Sequence, residues 1–72
     1  MIERRLGNRL KEIRTERGLT QTDLAALVGV SRKTINTVEN CVFVPSTLLA
    51  LALAKTLNTT VERLFFVVAD EN

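Results

Sequence analysis

Residues 20–40 read TQTDLAALVGVSRKTINTVEN, and no other stretch restricts the chain as much. Two helical patterns meet at one glycine, with almost no loop between them. Thr20 can cap the first helix, with Asp23 three residues on as its capping-box partner. Leu24, Leu27 and Val28 give that helix an apolar stripe at helical spacing. Gly29 can take the positive φ of a tight reversal. Ser31 can cap the second helix, whose only large apolar residues are Ile35 and Val38. These two lie three apart, so they bury a narrow face and leave a broad polar one. Ala25 sits where the helices would cross, and its small side chain permits close approach. Val30 and Ile35 plug the joint, and Val38 faces back into the core.

The flanking segments also have helical spacing. Leu6, Leu10 and Ile13 fall on one face of a first helix, which Gly18 can end. Pro45 and Ser46 precede a fourth helix. There Leu48, Leu49, Leu51, Ala52, Leu53, Ala54 and Leu57 are apolar nearly all round, so this helix is expected to be the buried centre. Asn58 can take a left-handed stop. Thr60 can cap a short fifth helix through Val61, Leu64 and Phe65. The final FFVVADEN is aromatic and β-branched, then acidic, and reads as a short strand or extended tail. No repeat or linker appears. The expectation is a single all-α domain over 1–72, with five compact helices and a short extended tail at 66–72.

A chain of 72 residues buries only about 60–65% of its unfolded surface, so its stability is modest unless something is added. With one cysteine and no histidine, neither an internal disulfide nor a Cys/His metal site is expected. Oligomerisation is the remaining route to extra stability. The lone cysteine and the lack of a signal-peptide pattern point to a reducing, cytoplasmic setting. The longest apolar run, 48–54, is too short to span a membrane. No paired carboxylates or nucleophile–base set suggests an enzyme. No cofactor and no small-molecule effector are expected. Charge is unevenly spread: residues 1–40 carry eight basic and five acidic groups, residues 41–72 two and three. A basic half beside an apolar, slightly acidic half suggests a polyanion-facing side and a packing side.

The pattern at 20–40 is the sequence logic of a helix-turn-helix, whose second helix can enter a major groove about 12 Å wide. With RLKEIRTERGL before it and PS plus an apolar helix after it, the chain resembles the Cro and phage-repressor type (XRE family) of helix-turn-helix regulators. GLTQ, DLA, GVSR, TI and EN occur in order at the family's spacing, and the resemblance covers residues 6–65. It implies a repressor-like DNA-binding domain that binds double-stranded operator DNA, usually as a homodimer on an inverted repeat. It places Arg32 and Lys33 at base-reading positions, with Asn36 and Thr37 completing the exposed face. Gln21 would hold a phosphate at a helix N-terminus. Asn40 would hold the DNA backbone, and Ser31 and Thr34 could cap the helix or touch phosphate. Arg9 and Lys11 are auxiliary phosphate candidates. Arg14 and Glu39 match an ion pair that joins the first helix to the recognition helix and fixes its angle.

Two segments depart from that pattern. After Asn40 the family continues with glycine and then a basic residue, where this chain has Cys41 and Val42. Cysteine in a left-handed turn costs about 1–2 kcal/mol, so a different local turn is one expectation. Phe43 and Val44 are expected to tuck under the fourth helix as core. At the C-terminus, Phe66, Val67 and Val68 exceed what a small core can absorb. A tail carrying them could pair across a dimer as an antiparallel ribbon, with acidic Asp70 and Glu71 stopping further edge growth. Alternatives to a repressor are an antitoxin or restriction-modification controller of the same fold, or a protein-interaction module with vestigial DNA binding.

Overall fold

A computed structural model of the chain describes residues 3–70. The element order is β1 (Glu3–Asn8), α1 (Leu10–Glu16), α2 (Gln21–Val28), α3 (Arg32–Glu39), α4 (Thr47–Thr56), α5 (Val61–Leu64) and β2 (Phe65–Asp70). Each of the last four helices starts where a hydroxyl can accept an orphan amide. Thr20, Ser31, Ser46 and Thr60 receive the N–H groups of Asp23, Thr34, Leu49 and Arg63. The Asp23 carboxylate in turn accepts from the Thr20 amide at 3.0 Å, completing a capping box.

Four left-handed residues mark the helix ends: Gly18, Gly29, Cys41 and Asn58. Cys41 keeps the left-handed turn, with φ 61°, although it carries a side chain. Its N–H donates to the Val38 carbonyl at 3.1 Å, and the Val42 N–H to Thr37 at 2.9 Å. This is the Schellman pattern, and the carbonyls it satisfies offset the strain of a non-glycine residue there.

Among the described residues six core side chains, Leu10, Leu24, Ile35, Leu53, Leu57 and Leu64, have no exposed surface and join the helices. Each stabilises the domain by about 1.5–3 kcal/mol relative to an exposed position. Val38, Ala25, Ala54 and Phe65 complete the cluster.

Several sequence expectations are corrected. Leu6 does not lie on α1; it belongs to β1, and α1 begins at Leu10, where the Asn8 side-chain oxygen accepts the Leu10 N–H at 3.1 Å. Phe65 ends α5 in extended geometry and opens β2. The fold is therefore helical with one two-stranded antiparallel ribbon, rather than all-α. The ribbon forms within the chain, pairing Arg5 with Val68, Leu6 with Val67 and Gly7 with Phe66. The extended tail is thus present, and one of its edges is filled by the chain's own N-terminal segment. Glu71, expected to block edge growth, lies outside the described residues. Gly7 leaves room for the Phe66 ring, since a Cβ there would meet Cε1 and the ring would have to move.

The apolar surface is larger than the pattern implied. Phe43 and Val44 do not tuck under α4; they are 48% and 67% exposed. The turn at Cys41 sends the Phe43 N–H back to the Thr37 carbonyl, which keeps the loop on the outside. Nor is α4 buried all round. Its Leu53 and Ala54 face the core, but Leu48 is 79% exposed and Leu51 is exposed as well. Leu27 of α2 is also exposed. A domain this small covers only one face of each helix.

Candidate nucleic-acid interface

The site is built from the start of α3 outward. Ser31 accepts the Thr34 N–H at 3.1 Å, and the two hydroxyls lie 3.0 Å apart. Both residues are therefore engaged in capping, which fixes where the helix begins. Arg32 and Lys33 follow in its first turn, and both are exposed. One turn on, the Thr37 hydroxyl donates back to the Lys33 and Thr34 carbonyls at 3.0 Å each. Its proton is thus occupied by the helix backbone. Asn36 accepts from the Asn40 side-chain amide at 3.2 Å, so these two carboxamides act as a pair along the same helix.

A buried ion pair links α1 to the last turn of α3. Arg14 Nε lies 2.6 Å from Glu39 Oε2, and its Nη2 donates to Oε1 at 3.2 Å, a bidentate contact. Its third donation, from Nη1, goes to the Leu19 carbonyl at 2.8 Å. Arg14 and Glu39 side chains are 8% and 3% exposed, so both charges need these partners. The contacts continue outward. Gln21 Nε2 donates to Glu39 Oε1 at 3.0 Å, and Arg32 Nη1 donates to Gln21 Oε1 at 3.3 Å. One network thus runs from the core of α1 to the guanidinium at the head of α3.

The network clarifies the position of Gln21, whose side-chain amide binds inward to Glu39 through Nε2 and outward to Arg32 through Oε1 while the residue stays at the first turn of α2. Asp23 beside it is held below the ordinary carboxyl value of 3.8, first by the Thr20 backbone N–H and then by the Thr20 side chain. Lys11 is exposed on α1. Arg9 is drawn toward the ribbon: its guanidinium lies 4.7 Å from the Phe66 ring centroid, and Nη1 donates to the Arg63 carbonyl at 3.4 Å. The candidate base-reading residues 32, 33, 36 and 37 share α3, the phosphate candidate Asn40 ends that helix and Gln21 is bonded to Arg32, whereas Arg9 lies apart on the ribbon.

Asn8 is the residue that sequence reasoning missed. Its Oδ1 starts α1, while its Nδ2 donates to the Val38 carbonyl at 3.0 Å and lies 3.6 Å from Cys41 Sγ. One side chain therefore ties β1, α1 and the end of α3 together. An asparagine two residues ahead of a helical pattern was the available signal. Among the described residues no cluster of metal-ligating side chains occurs, and no helix is long and apolar enough to cross a membrane.

Known proteins resemble this chain in sequence and fold. The family model for the helix-turn-helix matches residues 10–64. The uncharacterized HTH-type transcriptional regulator YgzD of Bacillus subtilis is 39% identical over 59 residues, covering 82% of this chain and 89% of that one. The uncharacterized HTH-type regulator MJ0272 of Methanocaldococcus jannaschii is 42% identical over 64 residues, covering 89% and 97%. Among solved structures, the restriction-modification controller protein C.AhdI from Aeromonas hydrophila aligns with TM-score 0.72 and 36% identity, covering 76% of this chain and 83% of that one. With the motif, the network and these relatives together, the chain belongs to the helix-turn-helix transcriptional regulators of the Cro and phage-repressor type, a DNA-binding family.

Proposed function

We propose that the protein is a repressor that binds an inverted-repeat operator as a homodimer, with α3 of each protomer in a major groove. The observation that carries this reading is the exposed polar face of α3, anchored through Gln21, Glu39 and Arg14. Arg32 and Lys33 donate to guanine O6 and N7, while Asn36 and Thr37 read neighbouring base edges. Asn40, Gln21, Ser31, Thr34 and Lys11 lie toward the DNA backbone, and Arg9 shares in that contact only by leaving the Phe66 ring. A DNA target places the protein's work in the cytoplasm, with no enzymatic step.

The dimer uses the apolar surface that a monomer leaves in water. Of the tail residues, Phe66 covers Gly7 and Val68 pairs across from Arg5, whereas Val67 is 66% exposed and best placed to meet a second protomer. Val67→Glu should lower the mass measured by light scattering toward that of one chain. If it leaves a dimer intact, the tail is outside the interface.

Selecting from random duplexes with purified protein tests the whole reading. An inverted repeat should emerge, with Arg32→Ala losing about 1–3 kcal/mol at one position per half-site. Equal weakening on every sequence would make Arg32 a phosphate contact. The likeness to C.AhdI favours a second reading, a controller acting on its own operon, which an adjoining methyltransferase gene would support.

A further inference from the structure

Between Lys33 and Lys55 the chain has no lysine or arginine, so residues 34–54 carry no positive charge. This span includes most of α3, the loop after it and nearly all of α4. Its one acidic group, Glu39, is matched by Arg14. A DNA strand running past the C-terminal end of α3 would therefore meet no cation from the loop itself. The fold brings β1 to that place. Asn8, the last residue of β1, is bonded to the Val38 carbonyl near the end of α3, and its amide also lies against Cys41.

Alternation along the strand puts Arg4, Leu6 and Asn8 on one face. Arg4 and Leu6 line the same hollow, of about 360 Å³, as Val38, Cys41 and Phe43. Arg4 is exposed, its cross-strand neighbour is Ala69, and among the described residues no side chain pairs with its guanidinium. About 13 Å of strand separates it from Asn8. The ribbon that carries it is held by the Gly7 and Phe66 packing and by Arg9 over the ring.

We propose that Arg4 is a DNA phosphate contact, supplied by the N-terminal strand to the backbone passing the C-terminal end of α3, where the loop lacks a basic residue. The inference rests on the DNA-binding reading above. A strand arginine that only discourages edge pairing is the competing role.

The test is the salt dependence of binding to a selected duplex. Each phosphate contact contributes about 0.9 to the slope of log affinity against log salt. Arg4→Gln should lower the slope by about 0.9 per half-site and leave the base preferences unchanged. Arg4→Lys should keep the wild-type slope, and Lys55→Gln on α4 should also leave it alone. A thermal melt of each variant shows that the ribbon still folds. An Arg4→Gln slope equal to wild type, or increased aggregation of that variant with unchanged binding, would overturn the proposal. A wild-type protein with no salt-dependent retention of DNA would instead remove the DNA-binding reading and this inference with it.

Discussion

Around α3, two charged side chains are almost sealed from water, and each side-chain nitrogen of Arg14 and each carboxylate oxygen of Glu39 has a partner. Among the described residues no buried side-chain nitrogen or oxygen lacks a hydrogen bond. The next stretch of chain behaves differently. Val42, Phe43, Val44, Leu48 and Leu51 all stand largely in water. The contrast follows from what each kind of group tolerates. A buried charge without a partner costs several kcal/mol, so a half-dry polar network has to be complete before any ligand arrives. An exposed leucine forgoes only the gain it would have made on burial, so an apolar surface can stay open until something covers it. The polar region is thus finished in the single chain, whereas the apolar region is not.

The largest test of the contrast removes one member of the network. Glu39→Ala leaves the Arg14 guanidinium buried with only the Leu19 carbonyl as acceptor. The expected loss is about 3–5 kcal/mol, read from the urea midpoint. A loss below about 1 kcal/mol would mean that Arg14 escapes to solvent, and the angle of α3 would then need another explanation.

The second test compares two leucines on one helix. Leu53 of α4 is fully buried and Leu48 is 79% exposed. Leu53→Ala should cost about 2–5 kcal/mol, and Leu48→Ala within about 0.5 kcal/mol in dilute protein. If Leu48→Ala becomes costly as protein concentration rises, a second copy covers that face. Equal costs at all concentrations would erase the distinction between the two sides of α4.

These two regions also differ in how far the sequence revealed them. Helix starts at Thr20, Ser31, Ser46 and Thr60 are legible because a hydroxyl before a helical pattern has one strong use. The Arg14 and Glu39 pair is legible only through the family resemblance, since 25 residues separate the partners. The intrachain ribbon was not legible. Residues 3–8 include charges and a glycine, which read poorly as a strand, and a partner 57 to 67 residues away leaves no local periodicity. Leu6 fits helical spacing and strand alternation equally well. The outward face of α4 was misread because apolar content reports what could be buried, and a single chain has too little material to bury it. In the site, the candidate base-reading residues come from the motif, while the bonding of Gln21 to Glu39 needed three dimensions.

Cys41 sits on the border between the two regions, and replacing it sharpens the comparison. Cys41→Gly removes a Cβ from a left-handed position and loses only a long amide-to-sulfur contact. The expected gain is about 1 kcal/mol, seen as a higher urea midpoint, with DNA affinity at least that of wild type. A loss of stability would show that the Asn8 contact to sulfur matters more than the turn strain.

The smallest effect concerns the capping box at the head of α2. The Thr20 backbone N–H, and secondarily its side chain, hold the Asp23 carboxyl below its ordinary value of 3.8. A depressed folded-state pKa means that folding favours the ionised form. Its contribution is therefore fully present above the ordinary value and disappears as pH falls through the lowered one. The carboxylate is fully exposed, so solvent weakens the effect. Only a difference between two proteins can isolate it. Urea midpoints of wild type and Asp23→Asn, measured from about pH 6 to about pH 3, should differ at the upper end and converge at the lower. Asparagine still accepts the Thr20 amide, so the gap at neutral pH reports the charge rather than the hydrogen bond. A gap that persists unchanged to pH 3 would mean that the carboxylate contributes no more than a neutral acceptor. The head of α2 would then owe its place to the Thr20 hydroxyl alone, and the polar region would depend on charge only at Arg14 and Glu39.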